Sequence, residues 1–306
     1  MKILVLGAGG IGGYFGAQLL RSGADLTFLL RARRKALVDA QGLRIETPGG
    51  DFTVRPATVT AASVTPVYDL IVLAPKAYDL DDALASLEGA LGAAVLLPLL
   101  NGFDHLDLLD RRCGRARVMG GVAQISTTLT AGGAVRELAD FHRLTLGARD
   151  AAHAAQAHAF AALCAAAPFD CALVDDIEQA MWDKWTFLAA LAAMTTLCRG
   201  PVGEIVATPH GAELALRMYA ECCAVAGANG HPIGAEARAR AAQVLTQAGS
   251  PIAASMLRDL ESGRRTEHDH ILGALAVRGR AAGLAMDLVH LAHTHLAVQA
   301  AHHPRA

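Results

Sequence analysis

The sequence predicts an α/β chain, an N-terminal Rossmann-like doubly wound sheet over residues 1–175 followed by an all-helical C-terminal domain over residues 176–306. Three observations carry that prediction. A short apolar run, Ile3 to Leu6, opens directly into a glycine-rich turn and then a helix. Further buried-strand candidates recur through the first half, and from Asp176 onward nearly every segment has helical periodicity.

Lys2 leads into the first strand, and Ile11 to Leu20 carries apolar residues at helical spacing until Gly23, a natural C-cap. Leu26 to Leu30, ending at Arg31, completes a βαβ unit of the length a parallel sheet requires. Leu43 to Thr47 and Phe52 to Arg55, separated by Pro48-Gly49-Gly50, read as a hairpin. Leu70 to Ala74 and Val95 to Leu100 read as buried strands, as do segments between Arg117 and Gly147. Ala151 to Ala167 is alanine-rich, but Phe160, Leu163 and Cys164 give it an apolar face, so it reads as a packed helix that Pro168 ends. The change of texture places the domain boundary near Asp175.

Bulk properties narrow the function. A chain of 306 residues exceeds what one core usually holds. The net charge of −2 gives no basic face for nucleic acid, which leaves small molecules as the expected partners. Apolar runs such as Phe187 to Met194 fall short of the roughly 18 residues a membrane span needs. No export signal precedes the first strand, and the six cysteines show no CxxC spacing, so free thiols in a cytoplasmic protein are expected. The sequence leaves a homodimer open.

Gly7-Ala8-Gly9-Gly10-Ile11-Gly12 fits G-x-G-x-x-G in the right context, leaving a strand and opening a helix. Gly7 allows the tight turn, Gly9 lets backbone approach a pyrophosphate, and Gly12 permits close helix packing, while the helix start offers N–H groups to an anion. A nicotinamide dinucleotide is the expected cofactor. An NAD site would place Asp or Glu at the end of the second strand; Arg31 stands there instead, followed by Arg33 and Arg34, and a guanidinium suits the 2′-phosphate of NADP.

Met181-Trp182-Asp183-Lys184-Trp185 offers a lysine flanked by aromatics at the start of the helical half. Taken alone, Lys184 reads as a snorkelling surface residue. The whole chain, however, resembles ketopantoate reductase (2-dehydropantoate 2-reductase). The resemblance rests on the glycine loop with Arg31, Pro75-Lys76-Ala77-Tyr78, Asn101-Gly102, Trp182-Asp183-Lys184, Ser255-Met256-Leu257-Arg258-Asp259 and Arg264-Arg265-Thr266-Glu267. It implies NADPH-dependent reduction of ketopantoate to pantoate, in pantothenate biosynthesis. By the same resemblance Lys184 is the general acid and Glu267 its acidic partner. Lys76 and Asn101 then lie at the nicotinamide, and Ser255 at the substrate carboxylate. Lys76 and Asn101 independently follow predicted strands, at the edge where α/β sheets bind ligands.

Two departures matter. Asp79 stands where many members of the family carry a neutral amide near the 2′-phosphate, which its charge opposes unless Arg31 screens it or it points away, and this keeps NAD open. The family usually carries an asparagine one helical turn after the lysine, where this chain has Leu188, which cannot bind a hydroxyl and favours a less polar 2-oxo acid. Two other readings remain: an oxidative 3-hydroxy acid dehydrogenase, and a nonenzymatic NADP sensor. Glu267, His268, Asp269 and His270 cluster in sequence, as do His290, His293 and His295. Spacing supplies no supported third ligand, so no metal is expected.

Overall fold

The computed structural model describes residues 1–302. Its contacts divide the chain into two compact units, Met1–Leu100 with His105–Glu178, and Asn101–Asp104 with Gln179 onward. The division after Glu178 falls inside the first turn of a helix.

The first unit runs β1 (Lys2–Leu6), α1 (Gly10–Arg21), β2 (Asp25–Leu29), α2 (Ala32–Gln41), β3 (Leu43–Glu46), β4 (Phe52–Val54), β5 (Ala57–Val59), β6 (Leu70–Leu73), α3 (Leu80–Ser86) and β7 (Val95–Pro98). It continues through α4 (Asp104–Cys113), β8 (Gly120–Leu129), β9 (Val135–Gly147), α5 (Ala154–Ala165) and β10 (Asp170–Leu173). A parallel sheet has the order β5-β2-β1-β6-β7, with Ile3 registered between Leu26 and Leu70. β6 and the edge strand β7 are buried on both faces, which is why they read as unbroken apolar runs rather than alternating ones. Strand order reverses at β1, so the carboxyl end of β1 is the switch point where such sheets bind ligands.

The expected β3–β4 hairpin forms, with Leu43 opposite Val54 and Ile45 opposite Phe52. It belongs to a second sheet, β10-β9-β3-β4 with β8 on β9. The sequence reading contains neither β5 nor β10, whose short runs have exposed ends and carry little apolar pattern. Helix α1 is buried from Gly12 through Leu19 because both sheets cover it. A Cβ on Gly16 would meet the Phe28 ring at 2.6 Å, and one on Gly13 would meet Val135 at 2.9 Å.

The second unit holds α6 (Ile177–Cys198), α7 (Val202–Val206), α8 (Gly211–Ala228), α9 (Ala235–Leu245), α10 (Ser255–Glu261), α11 (Ala274–Ala281) and α12 (Asp287–His302), and no strand among the described residues. A π-turn, Asp269–Gly273, runs directly into α11. Met181, Trp182, Trp185, Ala189, Ala190 and Ala192 are all buried, so α6 is apolar nearly all round and forms the core of this unit. No helix among the described residues is long and apolar enough to cross a membrane. All six cysteines are free.

Candidate active site

In the first unit, Gly7 takes φ +90° between β1 and α1, and its N–H donates to Leu29 O at 3.0 Å, tying the turn to the end of β2. Gly9 caps α1, and nothing lies within 4 Å of the point its Cβ would occupy, so its backbone stays open to an approaching group. Gly12 faces the opposite constraint, since a Cβ there would stand 2.5 Å from Gly7 O and against Val5 and Ala74. Gly10 is required by packing as well, because a side chain would collide with Thr127 of β8. Ile11 packs its side chain on the core and leaves its backbone N–H at the helix start. An open cradle of unpaired N–H groups fits a pyrophosphate.

Arg34 has a structural role that spacing did not reveal. Its Nη1 donates to Gly133 O at 2.7 Å and its Nη2 to Ala8 O at 2.9 Å, clamping the glycine loop to the β8–β9 turn. Arg31 is exposed at the N-cap of α2, and its Nη2 lies 3.9 Å from Asp79 Oδ1. Asp79 therefore faces Arg31 instead of pointing away. Lys76 is half-buried and follows β6 through Ala74 and Pro75, capping the short turn Ala77–Asp79.

In the second unit, Lys184 Nζ donates to Asn101 Oδ1 at 2.9 Å. Burial pulls the pKa of Lys184 down to about 8, against the opposing pull of the Glu267 charge. Glu267 is itself buried. Trp185 holds this group in register, since its indole N–H donates to Ile271 O at 3.0 Å and so ties α6 to the π-turn that follows Glu267. Phe103 packs on Trp182 with ring centroids 5.2 Å apart, and Arg278 pairs with Asp104 at 2.7 Å. These contacts fix the segment Asn101–Asp104.

His270 joins the group without having been expected there. It bonds to the Asn101 backbone, and burial lowers its pKa despite the Glu267 and Asp104 charges. Gly102, at φ +80°, leaves room for it: a Cβ would stand 2.9 Å from the imidazole. Ser255 is half-buried at the first position of α10. The Ala254 N–H before it donates to Thr195 Oγ1 at 3.4 Å. Thr195, Leu188 and Lys184 share one face of α6 by helical spacing, with Leu188 between the other two.

The fold brings His293 of α12, remote in sequence, to His268 and Asp269, with ring nitrogens and a carboxylate oxygen all within 4.8 Å of one another.

A parallel sheet reversing at β1, an open glycine cradle at that point and a half-buried lysine–carboxamide pair near a buried carboxylate are the features of a dinucleotide-dependent oxidoreductase. Residues 3–151 match the family model Ketopantoate reductase PanE/ApbA, and residues 176–299 match its C-terminal counterpart. The chain belongs to the ketopantoate reductase family, nicotinamide-dependent oxidoreductases acting on CH–OH groups. It is 30% identical over 297 residues to the uncharacterized oxidoreductase YkpB of Bacillus subtilis strain 168, covering 97% of this chain and 98% of that one. The crystal structure of the PanE/ApbA family ketopantoate reductase from Ralstonia eutropha JMP134 superposes with a TM-score of 0.88 at 26% identity, covering 99% of each chain. D-mandelate dehydrogenase, solved with NADH and anilino(oxo)acetate, shares the fold, with a TM-score of 0.88 at 21% identity over 98% of each chain.

Proposed function

We propose that this protein reduces a 2-oxo acid to the 2-hydroxy acid with NADPH, taking ketopantoate or a less polar 2-oxo acid. The observation that carries this reading is Lys184, whose ammonium is held 2.9 Å from Asn101 Oδ1, shares its surroundings with the Glu267 charge, and has a pKa near 8. Reduced nicotinamide, when bound, supplies a hydride for the keto carbon. Lys184 supplies the proton that the developing alkoxide oxygen requires, and an acid with a pKa close to the working pH releases it at little cost. Asn101 sets the direction of the N–H bonds. Glu267 keeps the amine charged until the transfer, opposing the burial that would neutralise it. His270 holds the Asn101 backbone and so acts through it as a positioning residue.

Ser255 is assigned to the substrate carboxylate, with Lys184 as a second contact. Leu188, between Lys184 and Thr195 on α6, presents an apolar surface to the remainder of the substrate. Arg31 supports NADP over NAD, because no carboxylate ends β2 and a guanidinium can pair with a 2′-phosphate. Lys76 is assigned to the nicotinamide side by its place after β6. The free thiols favour a cytoplasmic setting.

The test is oxidation of NADPH, and separately NADH, against a panel of 2-oxo acids. Turnover should favour NADPH and fall about 10²–10⁴-fold in Lys184→Ala. No turnover by the wild type, or an undiminished rate in the variant, overturns the reading.

A further inference from the structure

The second unit carries a group of side chains that the reductase reading does not use. His268 immediately precedes the π-turn, Asp269 opens it, and His293 comes from α12. Asp269 Oδ1 lies 3.0 Å from His293 Nε2 and 3.5 Å from His268 Nε2. Two imidazole nitrogens thus converge on one carboxylate oxygen. The carboxylate is 81% exposed, where a bare ion pair contributes little.

The supporting geometry is that of a ligand set. His268 Nδ1 sits 2.8 Å from Thr266 Oγ1, and with that nitrogen donating to the hydroxyl, Nε2 carries the lone pair facing Asp269. A fixed partner on the far ring nitrogen is what orients a metal-binding histidine. His268 and Thr266 are both buried, so this orientation is held by packing. Gly273 makes space for the other ring, since a Cβ there would stand 2.9 Å from His293 Nε2. A tetrahedral ion with bonds of about 2.0–2.1 Å separates neighbouring ligand atoms by roughly 3.3–3.4 Å. The separations of 3.0 and 3.5 Å bracket that value.

We propose that His268, Asp269 and His293 form a binding site for a first-row divalent cation of the zinc type, with water at the fourth position. Two imidazoles and one carboxylate suit Zn²⁺ or Co²⁺ and are poor ligands for Mg²⁺, which prefers an all-oxygen octahedron. The bound ion would join the π-turn to α12, just after the segment that carries Glu267.

The experiment uses tag-free full-length protein, stripped with chelator, and titrates Zn²⁺ by calorimetry with Co²⁺ as the spectroscopic probe. One equivalent per chain should bind, Co²⁺ should develop the visible absorption of a tetrahedral centre, and Zn²⁺ should raise Tm where Mg²⁺ does not. Affinity should fall at least about 100-fold in His293→Ala, in line with losing one of three protein ligands. Asp269→Asn, an isosteric change at an exposed side chain, should weaken binding similarly and keeps the test decisive if His293→Ala folds poorly. His142→Ala serves as a control on the other grouping of ligating side chains, Glu137, Asp140 and His142, and should leave binding unchanged. Binding weaker than millimolar in the wild type, equal binding in Asp269→Asn, or loss of binding in His142→Ala instead overturns the proposal.

Discussion

Lys184 Nζ and Asn101 Oδ1 meet at 2.9 Å, which joins α6 to a residue that follows β7 by one short loop. The pKa near 8 then has a direct kinetic consequence. Reduction needs the protonated amine, so kcat/KM for the 2-oxo acid should be flat below about 8 and decline above it. Oxidation of the 2-hydroxy acid needs the neutral amine and should rise through the same region. In Glu267→Gln the opposing charge is gone, burial acts alone, and the basic limb of the reduction profile should move to lower pH. Profiles measured in both directions check this; a limb that stays in place in Glu267→Gln contradicts the assigned pairing.

Gly9 and Gly12 should fail in different ways when changed to alanine. Space is open at Gly9, so Gly9→Ala should keep Tm within about 2 °C of wild type, as expected of a change costing under about 0.5 kcal/mol. It should nevertheless weaken NADPH binding about tenfold or more, because the methyl occupies the path of the pyrophosphate. Gly12→Ala forces a Cβ to 2.5 Å from Gly7 O and should cost about 1–3 kcal/mol of stability. Paired thermal melts and cofactor titrations separate the two, and equal Tm losses would show the assignment of roles to be wrong.

Arg34 should matter through the loop it holds. Removing its two hydrogen bonds, to Gly133 O and Ala8 O, in Arg34→Ala should destabilise the chain by roughly 2–3 kcal/mol. The KM for NADPH should rise while kcat changes little, since the loss is in loop order and not in proton transfer. Unchanged Tm and KM together would remove Arg34 from this role.

Leu188→Asn tests what sets the substrate. An amide on that face of α6 restores a hydrogen-bonding group, so kcat/KM should shift by at least about tenfold toward 2-oxo acids bearing a hydroxyl. Activity on purely aliphatic 2-oxo acids should fall in parallel. A specificity ratio that does not move would place the substrate's side chain away from Leu188.

Several parts of the fold were legible because local chemistry determines them. β1, β6 and β7 are buried on both faces and therefore read as unbroken apolar runs. Gly7 needs a positive φ that few other residues adopt, which marks the turn in the sequence. β5 and β10 were illegible because short strands with exposed ends carry no comparable pattern. Arg34 stood beside Arg31 and Arg33 with nothing local to distinguish a clamp from a solvated charge; the carbonyls it binds are supplied by Ala8 and Gly133, remote in sequence.

By itself, then, the sequence determined where backbone conformation and burial period are dictated residue by residue: the strand into the glycine turn, the lack of a carboxylate after β2, and the helical second half. Only the tertiary structure decided which side chains share an environment. Lys184 has a depressed pKa because packing removes it from water beside Glu267, 83 residues further along the chain than Lys184. His270 reaches Asn101, and His293 reaches His268 and Asp269, for the same reason. Electrostatic and ligand chemistry depend on distance in space, and no sequence spacing reports that distance across a loop.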